Sequence, residues 1–156
     1  MNDLMCSTVA STLDEMEIPY KQEGFLFKFT VSDDYADLDV RIIADDDNEV
    51  LTVVGFFPVK ISNTNLDKMY KVINDINLKN LVGHYAINSE DGVLSFRLTN
   101  NVDGGAINEG IVKACFLQVM FRLRNTYEDI MKAMYGGEQY TFTFGAPAID
   151  DQRQRS

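Results

Sequence analysis

The chain has no tryptophan, three prolines, two cysteines and a single histidine, and these shortages exclude several kinds of protein. Two distant cysteines cannot form the disulfide framework of a small secreted domain, so we expect Cys6 and Cys115 to be reduced thiols in the cytoplasm. The spacing places neither an acid nor a nucleophile beside His84, so we expect no catalysis there. The first residues are acidic and no run of ~18 apolar residues follows, so we expect neither a signal peptide nor a membrane span.

Basic residues are also scarce, with 14 Lys and Arg against 24 Asp and Glu, a formal net charge of −10 and a pI near 4.4. Binding to a phosphate backbone depends on clustered Lys and Arg, so this balance argues against nucleic acid as a partner. The remaining composition, 46% hydrophobic and 24% charged, is typical of a folded globular domain. The length of 156 residues fits one such domain.

The spacing of apolar residues predicts an α+β protein with the element order α-β-β-β-α-β-β-α. Helical spacing predicts helices over about 4–16, 66–80 and 107–135, and alternation predicts strands over about 25–31, 38–42, 81–87 and 94–98. An almost continuous apolar run, rich in β-branched residues, predicts a covered central strand over about 50–57. Three successive strands with short polar connections favour an antiparallel meander. We therefore expect a twisted antiparallel sheet with helices packed against it.

The last residues differ in kind from the rest of the chain. We predict a single domain over residues 1–137 and a flexible C-terminal tail over 138–156. Tyr140–Phe144 alternates like a strand, so an edge strand or a segment that binds a partner remains the alternative for this tail.

The central region carries a family resemblance. Its features are Asn74-Asp75-Ile76-Asn77, the alternating Leu81, Gly83, Tyr85 and Ile87, and the segment Glu90–Arg97 with its Asp-Gly turn. Together with the element order, they make the chain resemble the bacterial YbjN family over about residues 4–135. The long third helix and the tail depart from that pattern, so the resemblance does not carry over the identity of a partner.

The resemblance implies the fold of type III secretion chaperones, often paired into a dimer. It implies a binding or regulatory role, since family members are described as sensory-transduction regulators or secretion-chaperone-like proteins. It transfers no catalytic residue and no cofactor.

Two polar features have structural interpretations. The acidic run Asp45–Glu49 fails the EF-hand template, because Val50 stands where the sharp turn requires glycine, so we interpret it as a solvated hairpin turn and expect no metal. Asn77 lies where the second helix turns into the next strand. We expect its amide to bond loop backbone groups, with ligand contact as the alternative.

The third helix has two apolar faces. A continuous stripe at helical spacing should cover the sheet, and its residues are Val112, Phe116, Val119, Leu123, Tyr127, Ile130 and Met134. Leu117 and Phe121 project about 140° from the centre of that stripe, beside Gly110 and Ala114. These four residues are our candidate contact with a second copy or a partner, and a helix buried on both sides within one subunit is the alternative.

The sequence thus favours a non-enzymatic protein-binding module, chaperone-like or regulatory, that recognises a polypeptide as a dimer. We expect an unidentified protein partner, no nucleic acid, no membrane and no cofactor. The alternative is a small-molecule sensor that binds its ligand between the sheet and a helix.

Overall fold

The computed structural model describes residues 4–102 and 107–136, which form three helices, six strands and one 3₁₀ turn. The elements are α1 Leu4–Glu15, β1 Lys21–Glu23, β2 Leu26–Ser32, β3 Asp37–Asp45, β4 Val50–Phe56, the 3₁₀ turn Asn63–Asn65, α2 Leu66–Lys79, β5 His84–Ile87, β6 Leu94–Asn101 and α3 Glu109–Tyr135. The predicted tail over 138–156, with its candidate strand Tyr140–Phe144, lies outside the described residues.

The six strands form one sheet in the order β1-β2-β3-β4-β6-β5, and all neighbours are antiparallel. The segments β2, β3 and β4 make the predicted meander. The chain then crosses through α2 to the edge strand β5 and returns by a hairpin to β6, which lies between β5 and β4. The α+β class and the antiparallel sheet with packed helices are as the sequence predicted.

All three helices pack on one face of the sheet, which we call the covered face. Its strand residues are buried in alternation, among them Phe27, Val40, Leu51 and Phe96. Here α1 packs on β3, α3 crosses β4 and β6, and α2 contacts β5. Buried side chains of α1 and α3 complete a single hydrophobic core with these strands.

The structure corrects three details of the sequence prediction. It adds the strand β1, whose three residues are all exposed and so show no apolar alternation. Phe25 and Leu81, predicted on the buried sides of strands, are 53% and 74% exposed. Each lies next to a turn that contains a glycine with positive φ, Gly24 at +62° and Gly83 at +77°, so both residues fall outside the strands that follow.

The first helix ends at Glu15, one residue before the predicted end and four residues before Pro19. Glu17 adopts a positive φ of 59°, and the N–H of Ile18 donates to the carbonyl of Leu13 at 2.9 Å. A left-handed residue followed by this six-residue hydrogen bond is the Schellman ending of a helix. The local backbone motif therefore ends α1 before the proline does.

Candidate functional site

One face of α3 is buried and the opposite face is exposed. The predicted stripe is buried at Val112, Phe116, Val119, Leu123, Ile130 and Met134, while Tyr127 is half-buried. On the other side Leu117 is 48% and Phe121 53% exposed, and both Gly110 and Ala114 are exposed. We call these four residues the α3 outer patch. Their exposure is as predicted, and their role as a contact remains a prediction.

Close packing on the sheet sets the rotation of α3. A Cβ added at Gly55 of β4 would lie 2.5 Å from Leu123 Cδ1 and 2.9 Å from Val119 Cγ1. The side chain of Asn108 caps the helix by accepting a hydrogen bond from the N–H of Ile111 at 2.9 Å. With the stripe held against β4 in this way, helical geometry turns Leu117 away from the sheet.

Arginines next to the α3 outer patch have partners within the subunit. The guanidinium of Arg122 lies 5.6 Å from the centroid of the Phe121 ring. Arg124 donates to both carboxylate oxygens of Asp33, at 2.8 and 3.0 Å, and this carboxylate raises the pKa of Arg124. The ion pair ties the turn between β2 and β3 to α3.

Aromatic packing reinforces that contact. The ring of Tyr127 lies 4.5 Å from that of Tyr35 and 5.5 Å from that of Phe57, measured between centroids. Burial, and then the charge of Asp33, raises the pKa of Tyr35 to about 12. The patch therefore sits on a helix held by an ion pair and an aromatic cluster.

A second exposed apolar cluster lies where α2 leads into β5. Leu78, Leu81 and Val82 are 77%, 74% and 40% exposed. Sequence reasoning missed it, because alternation placed Leu81 on a buried face. The signal that could have found it is Gly83, since its positive φ interrupts the strand pattern before β5 begins.

The amide of Asn77 closes the free edge of β5. Its Oδ1 accepts a hydrogen bond from the N–H of Tyr85 at 2.8 Å, and its Nδ2 donates to the carbonyl of the same residue at 3.0 Å. This confirms the interpretation of Asn77 as a partner for backbone groups after the helix. Asn74, on the same helix, is exposed.

Two clefts flank the sheet. The larger, with a volume of about 790 Å³, lies on the face opposite the helices and reaches from β2 to β5. The smaller, of about 460 Å³, lies between α1 and two hairpin turns, and its lining includes Cys6, Ala10, Phe25 and Asp45. A ligand site between the sheet and a helix stays a prediction.

Asp45, Cys115 and His84 have side chains of types that bind metals or catalyse reactions, so their surroundings bear on those roles. Asp45 accepts hydrogen bonds from the backbone N–H and the side-chain amide of Asn48, at 3.1 and 2.8 Å, which lower its pKa and stabilise the hairpin turn. Burial raises the pKa of the Cys115 thiol. His84 is exposed on β5, opposite Arg97. Across residues 4–102 and 107–136, no group of three potential metal ligands comes together.

These features define a class, namely α+β proteins with an antiparallel sheet covered by helices on one face, and solved structures share that fold. A chain of the HopA1–SchA chaperone–effector complex superimposes with a TM-score of 0.58 at 10% identity, covering 81% of this chain and 94% of its own. YbjN from E. coli gives 0.57 at 11% identity, with 79% and 91% covered. A chain of the ExsC–ExsE complex gives 0.52 at 9% identity, with 78% and 90% covered.

The family follows from the sequence itself. The model of the YbjN family, described as "Putative bacterial sensory transduction regulator", matches residues 6–118, and this chain belongs to that family. The match ends within α3, so most of that helix lies beyond it. No curated protein sequence matches the chain. Within the described parts of the chain, no helix is both long and apolar enough to cross a membrane.

Proposed function

We propose that this chain is a non-enzymatic protein-binding module, chaperone-like or regulatory, which recognises a polypeptide and works as a dimer. The family description is that of a regulator, and two of the structural neighbours are named as complexes, one of them a chaperone with its effector. A cytoplasmic location belongs to the same proposal and rests on the sequence argument above. The observation that carries the proposal is the α3 outer patch.

The shape of the patch suits contact with a second helix. Leu117 and Phe121 lie one turn apart and are about half exposed, next to residues with little or no side chain, Gly110 and Ala114. Small residues allow a neighbouring backbone to come close, and the large ones supply apolar area. A two-fold interface is self-complementary, so one such patch can pair with its own copy. A stable interface covers ~800 Å² per partner, so the patch forms its centre and adjoining residues its rim.

We expect the double variant Leu117→Asp, Phe121→Asp to be a folded monomer, whereas the wild type is a dimer. Four carboxylates across a two-fold axis would face each other without water, which is strongly unfavourable. Light scattering after size-exclusion chromatography measures the mass, and circular dichroism checks the fold. Leu78→Asp is the matched control, because Leu78 is 77% exposed on another surface. A monomeric wild type, or an unchanged mass in the double variant, contradicts the dimer.

The same variants test polypeptide recognition. Affinity capture from a lysate, compared among wild type, the double variant and Leu78→Asp, should retain a partner whose binding depends on the α3 outer patch or on the dimer. Equal capture by all three proteins would show that polypeptide binding does not depend on the α3 outer patch.

The cleft beside α1 favours a second candidate function, a small-molecule sensor. Its volume of about 460 Å³ lies within the ~300–1,000 Å³ range of ligand pockets. A metabolite that stabilises the wild type against heat, and has no effect on an Ala10→Leu variant with a filled cleft, would favour the sensor.

A further inference from the structure

The face of the sheet opposite the helices, here called the open face, carries basic side chains in a line across the strands. Residues directly opposite each other on paired strands point to the same face. The register joins Lys21 to Lys28, Lys28 to Arg41, Arg41 to Val54, Val54 to Arg97 and Arg97 to His84. Four of these six residues are Lys or Arg, and we call those four the basic row.

The row stands out against the charge of the whole molecule. The chain has 24 acidic and 14 basic residues, yet this line contains no carboxylate. Like charges directly opposite each other on paired strands are unfavourable, so Lys21 beside Lys28 and Lys28 beside Arg41 do not stabilise the sheet. Glu23, whose pKa is lowered first by Lys28 and then by Lys21 and Arg41, offsets part of that repulsion, and an anionic partner from outside the subunit would offset the rest.

The arginines of the row keep hydrogen-bonding groups free for such a partner. The guanidinium of Arg41 lies 5.1 Å from the centroid of the Phe56 ring, which occupies its flat face and leaves its N–H edge open. Arg97 donates one long hydrogen bond, 3.4 Å from Nε to Ser95 Oγ. Among the described residues neither arginine forms an ion pair with a carboxylate, and both are exposed.

Both arginines line the cleft of about 790 Å³, which has a polar and an apolar part. Lys28 and Lys60 also line it, against the carboxylates Asp39 and Asp91. Lys28 is paired with Glu23 at 2.9 Å, and Asp39 accepts a hydrogen bond from Thr30 at 3.0 Å. Phe56 and Val93 supply apolar surface in the same cleft.

The distance between the arginines indicates the shape of the partner. Arg41 on β3 and Arg97 on β6 are separated by β4, which amounts to two strand spacings or ~9.6 Å. Two turns of a helix place residues i and i+7 ~10.5 Å apart on one side. In an extended peptide, residues on the same face are ~6.7 or ~13.4 Å apart, and neither of these spacings matches the ~9.6 Å between the two arginines.

We propose that the open face binds an acidic amphipathic helix of a partner protein, laid across the strands. Carboxylates two turns apart pair with Arg41 and Arg97, and an apolar side chain between them contacts Phe56. This inference deepens the proposed polypeptide-binding function and rests on it. It uses a surface separate from the α3 outer patch, which lies on the helical side of the sheet.

The test uses a labelled helical peptide of about 16 residues, long enough to span the six strands at 1.5 Å per residue. It carries Glu at positions i and i+7 with Leu between them on the same side, and the matched peptide carries Gln at both positions. Fluorescence anisotropy at low salt should give about tenfold tighter binding of the Glu peptide to the wild type. The Arg41→Gln, Arg97→Gln variant should lose that preference.

Lys71→Gln, Lys132→Gln is the matched control, since it removes the same charge from exposed helix positions. It should bind the Glu peptide as the wild type does. If Arg41→Gln, Arg97→Gln fails to fold, Arg41→Lys, Arg97→Lys keeps the charge but not the forked geometry, and an intermediate affinity is expected.

Several outcomes would overturn the inference. Equal affinity for the Glu and Gln peptides would show that no carboxylate is recognised, and equal loss in both charge variants would reduce the effect to overall charge. Triphosphate that stabilises the wild type through the arginines, without peptide binding, would assign a small anion to the cleft. A dimer that dissociates in the Arg→Gln variant would place a second copy there. The proposed function can hold although this inference fails. In that case the Leu117→Asp, Phe121→Asp variant has an altered mass and altered capture of partners, while the Glu peptide does not bind the wild type.

Discussion

Gly55 determines how closely α3 lies on the sheet. It is the second-last residue of β4, a strand that glycine would normally weaken, and its missing Cβ leaves room for Leu123 and Val119. That contact sets the rotation of the helix and, through it, the outward position of Leu117 and Phe121. A single position on the covered face therefore controls the surface on the other side of α3.

We expect Gly55→Ala to destabilise the protein by ~1–3 kcal/mol, the usual cost of overpacking a core. The added methyl group would meet Leu123 Cδ1 at 2.5 Å, so α3 must shift. Urea denaturation followed by circular dichroism measures the change in the free energy of unfolding. Leu123→Val removes the carbon that clashes. The Gly55→Ala, Leu123→Val double variant should therefore lose less free energy of unfolding than the two single variants lose together. Additive losses would contradict the steric explanation.

Single residues also show what a sequence can predict. The exposure of Leu117 and Phe121 follows from helical periodicity alone, which needs no knowledge of neighbouring elements. The alignment of Arg41 with Arg97 cannot be predicted in this way. It depends on the register of β3, β4 and β6, and β6 is distant in sequence from the other two strands. Register emerges from the packed sheet.

At the scale of elements, the sheet has one edge protected by a side chain. An edge strand presents unpaired N–H and C=O groups that can pair with another chain. The amide of Asn77 binds both backbone groups of Tyr85, and so α2 protects the middle of β5. The exposed Leu78 and Leu81 lie next to this edge, which makes its protection more important.

We expect Asn77→Ala to lower the free energy of unfolding by ~1–3 kcal/mol, because two partly buried backbone groups lose their partner. The variant should also form higher-mass species on size exclusion, since the β5 edge opens. Asn74→Ala is the control on the same helix; its exposed side chain makes it neutral within ~0.5 kcal/mol. A variant as stable as this control would show that water replaces the amide without cost.

Elements were predicted where their residues have two distinct sides. The strands β2 and β3 and the helix α3 each bury one side and expose the other, so apolar spacing identifies them. The strand β4 has no exposed residue, and its continuous apolar run identifies it instead. The strand β1 is exposed at every position, and its pairing with β2 follows from the turn at Gly24. Hydrophobic periodicity reveals neither a fully exposed strand nor a turn, so β1 was not predicted.

For the whole molecule, the net charge of −10 is unevenly distributed. Acidic residues are concentrated between residues 33 and 49, in two hairpin turns and along β3, whereas the basic row crosses the open face. Excess charge of one sign opposes the compact state, and a local patch of the opposite sign attracts complementary partners. Salt therefore acts on stability and on binding in opposite directions.

We expect the melting temperature to rise by ~2–4 °C when NaCl increases from about 0.01 M to about 0.1 M, a gain of about 1 kcal/mol for a chain of this size. The Debye length falls over this range from ~30 to ~10 Å, which screens the repulsion among distant carboxylates. The exposed ion pairs weaken too, but such pairs contribute little. Calorimetry measures the rise, and anisotropy with the Glu peptide should show weaker binding over the same range. A melting temperature that falls with salt would mean that ion pairs such as Arg124 with Asp33 outweigh the net repulsion.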